Sequence, residues 1–316
     1  MANLKAKDRE KNTKWILYFH NPGVDRDMQV ITSQQRSIGI EITDIDVSKI
    51  NDEQVNLIKS LVYKHQLVIF RNQEISIEEY SNFSKKIGTP QIYFQDNYHH
   101  PDYPEIFVSS NVQENGKKIG VSGTGRYWHT DCSFQPEPLP LTLLYPQILP
   151  TSIRETYYID MHQVYKNLPS KLKDYVDGKN ALHEGKWRYK VQECDIDRAI
   201  IDILNDVEKM APPSIHPMVI AHPVSHLPSL YISEGFTTRV LGVSQEKSQQ
   251  ILAELFAFVQ QEQHIHTHVW QEGDILLWDN RVLIHKASSV PKGEASASYR
   301  IGVYDGIPFY PIKKKL

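Results

Sequence analysis

From Ser37 onward the chain alternates. In IGIEITDIDV the apolar residues recur at every second position, which is the period of a half-buried strand. The next stretch, NDEQVNLIKSLVYKH, changes to helical spacing. Val55, Ile58 and Leu61/Val62 fall on one face, and Asn51 is placed to cap the helix. LVIFR, Leu67 to Arg71, is a short buried-strand run. Ser76 and Glu79 form a capping box, and the helix they open is expected to stop at Gly88. The chain therefore opens strand, helix, strand, helix.

Further along, LTLLYP, TYYIDM, PMVIAHP, SLYIS, GDILLWD and SYRIGVYD all carry strand patterns. Helical segments interrupt them: KNLPSKLKDYV, DIDRAIIDILNDVEKM and SQEKSQQILAELFAFVQQ. No long Pro/Gly/Ser linker divides the chain, and no repeat recurs. The pattern predicts a mainly β fold, a sandwich or jelly roll with helices packed outside. The expected organisation is a charged, aperiodic, loosely held arm over residues 1–35, then a single domain over 36–310. Helical inserts are expected near 163–212 and 244–262.

Composition narrows the class. Hydrophobic residues make up 40% and charged residues 23% of the 316, as in a globular protein with a real core. A formal net charge of -3 supplies no global basic field, so neither nucleic acid nor an anionic membrane is an expected partner. Two cysteines, Cys132 and Cys194, cannot build a disulfide framework or a cysteine zinc site. The N-terminus has no apolar h-region, and no run of about 18 apolar residues exists. A cytoplasmic protein is expected.

The candidate chemistry lies in YWHTDCSF. On a strand, residues i and i+2 face the same way, so His129 and Asp131 would project together. They would form two corners of the 2-His-1-carboxylate triad that holds non-haem Fe(II). The third corner must be a distant His, and His285 in GDILLWDNRVLIHKA is the candidate. Three ligands on one face leave positions open for a co-substrate and O2. Arg300, on the next predicted strand, could grip a carboxylate bidentately, and Thr156 could add a hydroxyl to the same group. A second His-x-Asp, His100-Pro101-Asp102, sits among HHPDYPE and reads as a loop. His264, His266 and His268 in HIHTH alternate, have no carboxylate at useful spacing, and read as a solvated strand face. Cys132 is expected to be buried and inert.

The order HxD, WDNRxxxH and an Arg on the following strand resembles the TauD/TfdA family of Fe(II)- and 2-oxoglutarate-dependent oxygenases. The similarity spans about residues 36–305. It implies a double-stranded β-helix, cupin-like core, iron on His129, Asp131 and His285, and 2-oxoglutarate on Arg300 with Thr156, O2 being the other co-substrate. A narrower resemblance rests on NYHHPDYPEIFVSSN, GTGRYWHTD, PEPLPLTLLYPQ and KWRYKV. These look like the family's isonitrile-forming branch, which oxidises an N-carboxymethyl β-amino acid in two rounds. That resemblance implies an amino-acid-like substrate met by Tyr93, Arg154 and Lys190. This chain departs from it at Phe94, where a second Tyr is usual, and at Ser289, where a His is expected. Two alternatives stay open. One is a TauD-like hydroxylase of an amino acid or sulfonate. The other is a cupin-like binding protein with a structural metal. Relatives often form homo-oligomers.

Overall fold

The computed structural model describes residues 38–311 except 115, together with the strands at 3–5, 14–19 and 28–33. Its opening follows the hydrophobic pattern. Helix Asp52–His65 starts at Asn51, whose side chain caps Gln54 while Gln54 caps back, and it buries Val55, Ile58, Leu61 and Val62. Helix Ile77–Ile87 carries the predicted box between Ser76 and Glu79 and ends at Gly88. The reason for that glycine is contact. Its φ of 170° is extended backbone, but a Cβ there would lie 2.3 Å from the Tyr304 carbonyl oxygen.

A large sheet runs in the order Asn3–Lys5, Lys14–Phe19, Met28–Ser33, Ile40–Thr43, Leu67–Phe70, Ile275–Asp279, Leu141–Ile148, Ala297–Tyr304, Thr89–Pro90, with Phe107–Ser110 also paired to Ala297–Tyr304. Among the described residues, Ile40–Thr43 and Leu67–Phe70 are the strands of this sheet that pair with each other in parallel. The stretch expected to be a loose arm thus contributes strands. In MQVITS the alternation sends Met28 and Val30 into the core.

A smaller sheet, Ile265–Val269, Glu155–Asp160 and Leu283–Ala287, faces the large one. Leu67, Ile69, Leu276 and Trp278 from one meet Tyr158 and Leu283 from the other. The far face of the large sheet packs on the two N-terminal helices through Val68, Phe70, Leu143, Ile301 and their neighbours. The far face of the small sheet packs on helices Met161–Asn167, Ser170–Val176 and Gln245–Val259. This is the double-stranded β-helix with helices outside.

Differences of detail have local causes. TYYIDM stops being a strand at Asp160, whose carboxylate accepts from the amides of His162 and Gln163 and opens a helix with Met161. DIDRAIIDILNDVEKM becomes helical only from Ile200 to Met210. The segment expected as a helical insert also supplies Asn180–His183, the centre strand of a third sheet. No helix among the described residues is long and apolar enough to cross a membrane.

Candidate active site

His129 does not sit on a long strand. It forms an isolated antiparallel bridge with His285, which lies on strand Leu283–Ala287. The chain turns directly after Asp131, with Cys132 in the left-handed region at φ 54°, and the Asp131 carboxylate stands beside the two imidazoles. The candidate ligand atoms of His129, Asp131 and His285 all lie within 4.8 Å of one another. His129 Nε2 is 3.8 Å from Asp131 Oδ1, and His285 Nε2 is 3.9 Å from Asp131 Oδ2.

The tautomer of His129 follows from its partner. Its Nδ1 lies 2.8 Å from the Tyr127 carbonyl oxygen, which can only accept, so Nδ1 carries the proton and Nε2 keeps its lone pair. Burial pushes both imidazoles below their ordinary range, His285 to about 3, with the neighbouring His129 adding to the effect. Burial alone would raise the Asp131 carboxyl. The charge of Arg300, the two imidazoles and a hydrogen bond from Thr142 outweigh it and bring it to about 2. Two neutral imidazoles and an ionised carboxylate are the donor set that fits Fe(II) and leaves coordination positions free.

The carboxylate is held from two sides. Arg300 Nη1 donates to Oδ1 at 2.5 Å, and the Thr142 hydroxyl donates to Oδ2 at 2.8 Å. Thr142 in turn accepts from the Asn280 amide at 2.8 Å, and Asn280 Oδ1 accepts from the Trp278 indole at 3.0 Å. Behind them Arg281 is fully buried and pairs bidentately with Asp305, both contacts at 2.9 Å. The WDNR stretch before His285 is therefore a scaffold for the site.

A pocket opens beside the triad. Among the described residues that line it, Arg154, Arg188, Lys190 and Arg300 are the cations and Asp131 is the one carboxylate. The Arg300 guanidinium lies 4.3 Å from the Phe107 ring centre and 5.6 Å from that of Tyr93. Thr156 is buried on strand Glu155–Asp160 and accepts the Trp270 indole N–H at 2.9 Å, which leaves its own proton free to donate. Arg154, two residues earlier, donates to the Ser288 carbonyl and hydroxyl oxygens. Tyr93, Phe94 and Phe134 make an aromatic wall, with Phe94 edge-on to Phe134.

Every residue singled out from the sequence for this site, Tyr93, Arg154, Thr156, Lys190 and Arg300 as well as the triad, borders the pocket. Arg188, Thr142 and Asn280 were not singled out. Arg188 lies within KWRYKV, stacks 4.2 Å over Tyr127 and donates to the Gly235 carbonyl at 3.0 Å. Thr142 had a signal: it is a lone polar residue inside the apolar run LTLLYP. Asp102 is exposed in a loop, as expected. Of HIHTH, His264 ends a 3-10 turn and the rest enters strand Ile265–Val269, whose face is not solvated throughout. His268 is buried against Trp270, and its Nε2 stands 3.3 Å from an Asp274 carboxylate oxygen supplied by the following turn. Cys132 is buried, and burial lifts its thiol to about 12.

Comparison with known proteins agrees with this architecture. Residues 30–300 match the family model described as "Taurine catabolism dioxygenase TauD, TfdA family". The chain belongs to that family, and it is an oxidoreductase that uses Fe(II), 2-oxoglutarate and O2. An alkylsulfatase of Acinetobacter baylyi is 26% identical over 273 residues, covering 85% of this chain and 82% of its own. The alpha-ketoglutarate-dependent 2,4-dichlorophenoxyacetate dioxygenase of Cupriavidus pinatubonensis is 26% identical over 257 residues, covering 78% and 87%. The solved structure of AAD-2 in complex with Mn(II) and N-oxalylglycine superposes with a TM-score of 0.73 at 19% identity, over 90% of this chain and 99% of that one.

Proposed function

We propose that this dioxygenase is an oxidase that converts an N-carboxymethyl β-amino acid to an isonitrile, with His129, Asp131 and His285 as its iron ligands. The observation that carries the reading is the charge of the pocket: four cations against a single carboxylate, which is itself committed to the triad. A dianionic co-substrate uses two cationic contacts. A substrate with two carboxylates around a secondary amine uses two more.

Bound iron supplies the oxidising power, drawn from O2 and from conversion of 2-oxoglutarate to succinate and CO2. The chain's residues do the rest. Thr156 and Arg300 orient 2-oxoglutarate. Arg154 and Lys190 hold the two substrate carboxylates, and the Tyr93 ring covers the glycine-derived unit and keeps water away from it. Each round removes two hydrogens as water. Two rounds with loss of the substrate's own carboxylate as CO2 leave the N≡C carbon.

A specific observation favours a second assignment of the arginines within the same reaction. Arg300 rests directly on a candidate iron ligand, whereas Arg154, just before the strand that carries Thr156, lines the same pocket with it. In that assignment Arg154 and Thr156 anchor 2-oxoglutarate, and Arg300 holds the substrate carboxylate nearest the iron.

The test is turnover with N-carboxymethyl β-amino acids of graded chain length, followed by product mass. Loss of one CO2 and four hydrogens supports the reading. Gain of one oxygen makes the chain a hydroxylase instead. Absence of succinate release with every substrate rejects the assigned chemistry.

A further inference from the structure

We propose that Thr142 and Asn280 are positioning residues that orient Asp131 and so set how tightly the site binds a divalent metal. The inference rests on Asp131 being a metal ligand. Its basis is a hydrogen-bond chain whose direction cannot be reversed. The Trp278 indole has a donor and no acceptor. It donates to Asn280 Oδ1 at 3.0 Å and thereby turns the Asn280 NH2 toward Thr142 Oγ1, 2.8 Å away. With that oxygen accepting, the Thr142 proton is directed at Asp131 Oδ2, 2.8 Å away, which can only accept. The Thr130 hydroxyl adds a strap by donating to the Asn280 carbonyl at 2.8 Å.

All five residues are at most 2% exposed, so water does not compete for these bonds. Thr142 and Trp278 are register partners on adjacent strands of the large sheet. The hydroxyl that bonds the carboxylate thus stands on the sheet, and Asn280 opens the turn directly after the Trp278 strand. The chain of bonds commits one lone pair of Oδ2 as Arg300 commits one of Oδ1, so the carboxylate beside the two imidazoles is fixed from both sides. A hydroxyl in the middle of LTLLYP has no packing advantage over Val, and burying it costs free energy unless both its bonds are made.

The test is Mn(II) binding, measured by calorimetry on the full chain without 2-oxoglutarate. Loss of the outer hydrogen bond in Thr142→Val is expected to weaken Mn(II) by roughly 10–100-fold, with Thr142→Ser restoring most of it. Thermal unfolding of the metal-free variants separates this from packing, because the metal-free melting temperature of Thr142→Ser is expected to fall more than its affinity does. If Thr142→Val does not fold, Thr142→Ala removes the same hydroxyl and is compared with Thr142→Ser in its place. The proposal is overturned if the hydroxyl-less variant binds within about twofold of the parent, or if Thr142→Ser loses as much affinity as it does. Asp131→Ala is the control for the underlying reading. If it binds Mn(II) like the parent, the ligand assignment itself fails.

Discussion

His129 and His285 are a backbone pair: the amide of each donates to the carbonyl of the other, at 3.0 and 2.7 Å. Residues that exchange both bonds in an antiparallel ladder project their side chains to the same face. The imidazoles accordingly lie with ring centres 4.1 Å apart. Two distant parts of the chain are thus brought together by main-chain hydrogen bonds, before any metal is considered. The separation of the two imidazoles is a property of the fold.

If Asp131 completes that pair, Asp131→Ala removes the anion of the triad and also strands the buried Arg300 charge. Succinate release from 2-oxoglutarate is expected to fall to background in this variant. Near-normal turnover would remove Asp131 from the site.

The two arginine assignments separate kinetically. A Lys cannot reproduce the bidentate fork of Arg. With the first assignment, Arg300→Lys raises KM for 2-oxoglutarate and Arg154→Lys raises KM for the substrate. With the exchanged assignment the two effects swap. Unchanged KM for both compounds in both variants would take both arginines out of ligand binding.

Acid acts on the imidazoles with a defined sign. An unfolded His takes up a proton near its ordinary value of 6.5, whereas burial holds folded His129 below that value and folded His285 at about 3. Neutral histidine therefore favours the folded state above 6.5, and this contribution is lost progressively as pH falls. The melting temperature of the metal-free chain is expected to drop between pH 7 and pH 5. Mn(II) binding is expected to weaken at a lower pH than the melting temperature does, because burial holds both imidazoles below their ordinary range. A Mn(II) affinity that collapses with a midpoint at 6.5 would show that the imidazoles are not depressed.

Arg281 and Asp305 form a bidentate pair with no exposed side-chain surface. Removing Arg281 takes the cation from the buried Asp305 carboxylate and from Asp279, 3.5 Å from the same guanidinium. Arg281→Met is expected to destabilise the fold by about 3–5 kcal/mol, measured by denaturant unfolding. A change of less than about 1 kcal/mol would mean that water or another group reaches Asp305.

Much of this was legible in the sequence because local signals and tertiary structure agree. Asn51 and Ser76 each sit where a capping box starts a helix, and the apolar spacing behind them matches the buried face. The triad was legible because HxD and the later His keep a recognisable order. The i,i+2 spacing of His129 and Asp131 does not lie on a continuous strand: a bridge at His129 and a left-handed residue at Cys132 take its place. What could not be read depends on contacts between distant segments. Gly88 looks like a helix stop, yet it is required by the Tyr304 carbonyl. His268 looks solvated, until Asp274 and Trp270 fold over it. Thr142 carries no motif, and its role follows from the register that places it beside Trp278.

The central claim is that His129, Asp131 and His285 present one ferrous ion to 2-oxoglutarate. The most direct measurement is an anaerobic titration of the chain with Fe(II) and 2-oxoglutarate, followed by visible absorption. The account predicts a metal-to-ligand charge-transfer band that requires both components, shifts when an N-carboxymethyl β-amino acid is added, and is absent in Asp131→Ala. A spectrum that stays featureless with both components at saturation, or a band of full intensity in Asp131→Ala, would contradict it.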